Sequence, residues 1–170
     1  MASRDYEEFI GAFNARGVRY LVVGAHAFAL HAQPRATRDL DILVDPTPAN
    51  ARRVLAALRD FFSGASLGYS VRDIVDPGWI LQLGVAPVRI DLFSAIPGLR
   101  SFGAAWRNRV DARFGSVPTH YIGLEDLVSA KTAARRPQDL ADLRVLERAR
   151  AAAARHAARR KPRRRSARDG

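Results

Sequence analysis

Hydrophobic positions along the chain follow two periods, and the changes from one to the other mark out its elements. In residues 3–16, Tyr6, Phe9, Ile10 and Phe13 fall on one stripe at helical spacing. Ser3 can cap this stretch, Asp5, Glu7 and Glu8 suit its N-terminal end and Gly17 suits its stop, so an amphipathic helix is predicted. Residues 18–23, VRYLVV, are β-branched and apolar and read as a buried strand; Gly24 ends it, and AHAFALHA has the composition of a short helix. Residues 39–44, DLDILV, alternate as a second strand. Asp45, Pro46, Thr47 and Pro48 form a turn that caps a helix over residues 49–62, with Val54, Leu55, Leu58 and Phe61 or Phe62 as its buried stripe. Residues 64–68 are a flexible connection, and a strand is expected near 69–74. Residues 79–85 and 88–93 then read as strands joined at Ala86 and Pro87, which predicts an antiparallel hairpin. A loop at 97–102 precedes a second hairpin, 109–114 with 117–122, turning at Gly115 and Ser116. Gly123 begins a helix that carries Lys131, and Pro137 begins another bearing Leu140, Leu143 and Leu146. The sum is an α/β (α+β) domain: a mixed sheet flanked by helices, closed by a C-terminal helical pair.

Two acidic positions stand out against this pattern. Asp39 and Asp41 lie two apart on a strand, so they share one face while Leu40 and Ile42 share the other. Paired carboxylates repel unless a proton or cation lies between them, and a hard divalent ion, Mg²⁺ or Mn²⁺, suits them. The plainer alternative is the polar face of a solvated edge strand. Upstream, a strand running through Gly24 into a helix N-terminus offers backbone N–H groups to phosphate, and Gly24 leaves no Cβ in the way.

A glycine with a small neighbour at a strand end, a short helix, and then Asp-x-Asp on the next strand resembles the signature of the nucleotidyltransferase superfamily, the polymerase-beta-like fold. The stretch GAHAFALHAQPRATRDLDILV is similar to the core of small bacterial proteins of the nucleotidyl transferase AbiEii or DUF6036 type. The resemblance implies a third carboxylate on a later strand, and Asp91 in VRIDLF has the right parity, opposite the face shared by Val88, Ile90 and Leu92. By that resemblance Asp39, Asp41 and Asp91 are the catalytic residues and the ligands of Mg²⁺ or Mn²⁺. Gly24 with Ala25 marks the triphosphate turn of an NTP, and a nucleoside monophosphate passes to a hydroxyl of RNA or protein. A second stretch, EDLVSAKTAARRPQDLADLRVL, also looks like the family: Lys131 is implied to reach the nucleotide phosphates, and Asp139 to pair with an arginine. One departure is Ala25, where the family pattern has Gly or Ser. Without a hydroxyl there, triphosphate binding leans on backbone amides.

Other residues near the signature have two readings each. His26 stands by the phosphate turn within reach of substrate, although a histidine in a helix is more often a packing or surface residue; the same holds for His31. Arg35, Thr37 and Arg38, in the loop PRATRD, either neutralise a triphosphate and hold the loop to the carboxylates or are solvated loop groups.

Composition and charge add the organisation. At 170 residues and 48% hydrophobic content the chain suits one domain with a tail. The absence of cysteine excludes disulfides, thiolate metal sites and a catalytic thiol. Lacking an apolar run long enough for a membrane span, and with an N-terminus too acidic for a secretory signal, the sequence reads as a soluble, cytoplasmic protein without a membrane partner. Its net charge of +11 is uneven: residues 1–148 hold 19 basic and 16 acidic side chains, residues 149–170 hold 9 and 1. The charge sets 149–170 apart as an Ala/Arg-rich helix extension with a disordered basic tail, and the resemblance implies that residues 1–148 are a nucleotidyltransferase-like domain. Such a tail attracts nucleic acid through its phosphates, or is a solubilising extension. Two other functions stay open: a catalytically inactive, antitoxin-like or partner-protein-binding chain of the same fold, and a basic nucleic-acid-binding module with structural carboxylates. A transferase of this kind would suit a toxin–antitoxin pair.

Overall fold

The computed structural model describes residues 2–37, 39–85 and 88–160. At its centre β2 (Asp39–Val44) and β4 (Val88–Phe93) run parallel, with Asp41 opposite Asp91 and Asp39 opposite Arg89. Antiparallel to β2 on its other side is β1 (Tyr20–Val22), which pairs in parallel with β6 (Val117–Tyr121). The two edges are β3 (Ile80–Val85), antiparallel to β4, and β5 (Val110–Phe114), antiparallel to β6. The order β3-β4-β2-β1-β6-β5 is a mixed, six-stranded sheet. Both expected hairpins form, β3 with β4 and β5 with β6; Ala86 and Pro87, the expected turn of the first, lie outside the described residues.

The parallel β2–β4 pair needs a long crossover. Most of it is α3 (Pro48–Phe61), with Thr47 capping the amide of Asn50 and Pro48 in the first turn. The Asn50 side chain accepts from the Arg19 amide at 2.7 Å and donates to the Asp45 carbonyl at 3.0 Å, pinning α3 to the strands beside it. Against α3 packs α1 (Ala2–Ala15), through Phe9, Ile10 and Phe13, all fully buried. The side chain of Ser3, the expected cap, lies outside the description. On β2, Leu40 and Ile42 are buried in the core, which leaves Asp39 and Asp41 to the opposite face. Near that face α2 (Gly24–His31), α6 (Leu124–Ala134) and α7 (Pro137–Arg160) pack together.

Two segments differ from expectation. Residues 69–74 are not a strand: α4 (Val71–Val75) forms there, because Ser70 and Asp73 make a reciprocal capping box, the Ser70 amide donating to Asp73 at 2.6 Å. The expected loop at 97–102 ends in α5 (Phe102–Arg107), started by the Ser101 hydroxyl accepting from the Ala104 amide at 3.1 Å. Both helices have five or six residues, too few for hydrophobic periodicity to reveal. The expected boundary at 148 falls inside α7, which continues to Arg160; the tail from 161 on lies outside the described residues. Among the described residues no helix is long and apolar enough to cross a membrane.

Candidate active site

The site is assembled by strand register. Side chains opposite one another on parallel neighbours share a face, so Asp39, Asp41, Asp91 and Arg89 all project from one side of the β2–β4 pair. The turn between β1 and α2 meets this row. Gly24 has φ of +60°, and a Cβ there would collide with Oδ2 of Asp41. Only glycine serves both demands. The Val23 amide donates to the Asp41 carbonyl at 2.9 Å, which fixes the turn to β2. Ala25 lies buried behind it.

The charges of this row are incompletely answered. Burial, then the charges of Asp91 and Asp39, pushes the Asp41 carboxyl up to about 6, against the opposing pull of Arg136 and Arg89. Asp91 is 5% exposed, and its Oδ1 meets no hydrogen-bond partner among the described residues. Its other oxygen lies 3.1 Å from Nη2 of Arg89, which also donates to Asp39 Oδ2 at 3.0 Å. The Thr37 hydroxyl is spent on the backbone of Asp39, donating to its carbonyl at 3.2 Å and accepting from its amide at 3.3 Å.

As the side chains stand, no three acidic or histidine residues among those described are gathered into a ready metal site. Arg89 holds Asp39 and one oxygen of Asp91. The donor set nevertheless fits a hard divalent ion. Asp41 and Asp91 face each other across adjacent strands, one carrying an unpartnered buried oxygen and the other ionising against its neighbours' charges. A cation with oxygen ligands completes such a pair.

Beside the row opens a cavity of about 420 Å³. Gly24, Asp41, Lys131, Arg136 and Asp139 supply its polar lining, and Ile80, Phe93, Ile96, Pro97 and Leu127 its apolar lining. Lys131 is only 6% exposed, and its ammonium donates to Asp139 at 3.1 Å and to Asp142 at 2.8 Å. Asp139 also accepts from Arg136 Nε at 2.7 Å, so the arginine pairing implied for Asp139 is made by Arg136. Asp142 accepts from Arg35 at 2.6 and 2.8 Å and from Gln138 at 3.0 Å. Burial alone would raise both carboxyls, but the hydrogen bonds from Arg136 and Lys131 to Asp139, and from Lys131 and Gln138 to Asp142, hold them below the ordinary value.

The remaining candidates are scattered. Arg35 is committed to Asp142 and lies over the Phe28 ring at 5.5 Å. His26 meets Tyr6 and Phe114 edge to face at 6.0 and 5.0 Å in an aromatic pocket, and burial lowers its pKa. His31 pairs through Nε2 with the Ile122 carbonyl at 2.7 Å. Arg38 lies outside the described residues. Sequence reasoning missed Arg89 and Asp142, although each had a signal: Arg89 shares the parity of Asp91, and Asp142 lies three residues beyond Asp139 on one helical face.

A mixed sheet that carries acidic side chains on paired parallel strands, beside a glycine turn leading into a helix, is the arrangement the sequence resemblance implied. The chain belongs to the family described as "Nucleotidyltransferase of unknown function (DUF6036)", whose model matches residues 7–148. No curated protein matches the sequence. Among solved structures the chain is similar to the antibiotic-resistance factor ANT(2'')-Ia, described in solution as having substrate-regulated conformation dynamics. The TM-score is 0.55 at 15% identity, covering 92% of this chain and 93% of that one. At that identity the likeness concerns the fold.

Proposed function

We propose that the chain transfers a nucleoside monophosphate from an NTP to an acceptor hydroxyl, with Asp39, Asp41 and Asp91 holding Mg²⁺ or Mn²⁺. The observation that carries this reading is the register pairing of Asp41 with Asp91 beside the Gly24 turn, with Asp91 Oδ1 left without a partner among the described residues. When bound, the divalent ion supplies charge neutralisation on the phosphates and on the attacking oxygen. The chain's own residues do the rest. The amides at the start of α2 receive the triphosphate, the apolar lining of the cavity receives the nucleoside and shields it from water, and Arg136 neutralises phosphate. Lys131 serves this site indirectly, since its charge is answered by Asp139 and Asp142 and its part is to fix the helix pair on which Arg136 is mounted. Residues 151–158 of α7 are exposed and include Arg155, which favours a polyanionic acceptor such as RNA.

Calorimetry of NTP binding with Mg²⁺ or Mn²⁺ tests the reading. Metal-dependent binding by the wild type that Asp39→Asn with Asp41→Asn abolishes is the expected result. A folded wild type that binds no NTP with either metal overturns it and leaves a binding protein of this fold.

A further inference from the structure

Arg89 is the charged group in the site for which the proposed reaction has no use. It stands opposite Asp39 in the β2–β4 register and two residues before Asp91. A single nitrogen, Nη2, donates to Asp39 at 3.0 Å and lies 3.1 Å from Asp91. This is not how arginine grips a carboxylate when the grip is its purpose. Arg16 shows the ordinary fork on Asp60, with Nε and Nη2 on the two oxygens at 2.5 and 2.9 Å. Arg89 instead acts as a point cation where two anionic oxygens converge, while its own Nε and Oδ1 of Asp91 are both buried and meet no hydrogen-bond partner among the described residues. A contact that leaves a polar group unused on each side is weaker than either group could make elsewhere. The Arg89 side chain is 38% exposed, so it has an open path out of the contact.

Resting on the metal-dependent reading above, we infer that Arg89 is a positioning residue, the resident counter-cation of the carboxylate row. It competes with the divalent ion for Asp39 and Asp91 and yields them when the ion is bound, its guanidinium then turning to the phosphate oxygens of the nucleotide. The physical sequence is simple. Three ionised carboxylates repel, and Arg89 relieves part of that repulsion in the unloaded protein. A divalent ion offers the same oxygens twice the charge and displaces the guanidinium. A displaced guanidinium beside a triphosphate gains charge-assisted hydrogen bonds. Metal and triphosphate thereby strengthen each other's binding, a coupling that is reciprocal.

Binding of Mn²⁺ to the full chain, followed by electron paramagnetic resonance with and without a non-hydrolysable triphosphate analogue, tests the inference. Arg89→Gln is expected to bind Mn²⁺ alone about tenfold more tightly than the wild type, because its competitor is gone. The analogue is expected to tighten Mn²⁺ binding by about tenfold in the wild type and hardly at all in Arg89→Gln. Arg89→Lys, which keeps the charge, should fall between them. If Arg89→Gln does not fold, the wild type answers by NMR: the Arg89 Nε–Hε resonance, assigned by its loss in Arg89→Lys, should shift when Mg²⁺ is added. Equal Mn²⁺ affinity in the wild type and Arg89→Gln, or an unmoved resonance in a protein that binds metal, overturns this inference alone, provided Asp41→Asn abolishes that binding. Absence of Mn²⁺ binding in every variant, with and without the analogue, overturns the metal-dependent reading and this inference with it.

Discussion

Two acidic clusters border the same cavity and differ in how their charge is answered. Asp139 and Asp142 are 1% and 3% exposed and meet Lys131, Arg35, Arg136 and Gln138, which hold both carboxyls below the ordinary range. Asp39, Asp41 and Asp91 have Arg89 in direct contact with two of them, and Asp41 is pushed up to about 6. Fully answered buried charge holds architecture together; buried charge left short is poised to take something up. Lys131, which the family resemblance ties to the nucleotide, lines the cavity with its ammonium paired to Asp139 and Asp142, and so belongs to the answered cluster.

Removing a partner from the answered cluster should have the largest effect. Lys131→Met leaves two buried carboxylates relying on Arg35 and Arg136, and should cost about 3 kcal/mol, read from the urea midpoint at constant slope. A loss within error of zero would break the contrast, because it would mean that this cluster holds surplus cations. The unanswered cluster should respond with the opposite sign. The folded-state pKa of Asp41 is raised, so the folded protein keeps a proton that the unfolded chain gives up near 3.8, and the stability linked to that proton is lost as pH rises through about 6. Asp41→Asn should therefore stabilise the metal-free protein at pH 8 by about 1–2 kcal/mol after allowance for solvent screening. That gain should shrink between pH 6 and 4 and vanish below. Urea unfolding at pH 8 and pH 3.5 measures it, and a gain independent of pH would remove Asp41 titration as its cause. The smallest effect belongs to the exposed end of α7. Deleting residues 149–170 should shift Tm by no more than about 2 °C, since residues 151–158 are exposed and the last fully buried side chain of the helix is Leu146. A larger fall would show that the extension packs on the domain.

Much of this arrangement was legible in the sequence, and the rest was hidden for definite reasons. Period-two patterning located β2, β3 and β4, and the family resemblance pointed to Asp91, whose strand parity agrees with its place on the face of Asp39 and Asp41. Gly24 was legible as a turn, but its close approach to Asp41 belongs to tertiary structure and has no local signal. Helices α4 and α5 were hidden because their caps, Ser70 with Asp73 and Ser101, decide them, not any apolar stripe. The partner choice of Arg35 and Lys131 was hidden most deeply. Arg35 and Asp142 are 107 positions apart, and no pattern along the chain says which of several carboxylates a cation will meet.

The register that opposes Arg89 to Asp39 joins positions 50 residues apart, with α3, α4 and β3 between them. Pairs of such separation close late, because the entropy of the intervening loop has to be overcome first. The repulsion that Asp91 adds to Asp39 and Asp41 thus appears only as β4 docks on β2. The docking strand brings its own arginine with its aspartate, so the chain can complete this step in water without borrowing an ion. Assembly on this account does not wait for an ion, and refolding from urea should give the same yield of folded protein with a chelator of divalent ions as without one.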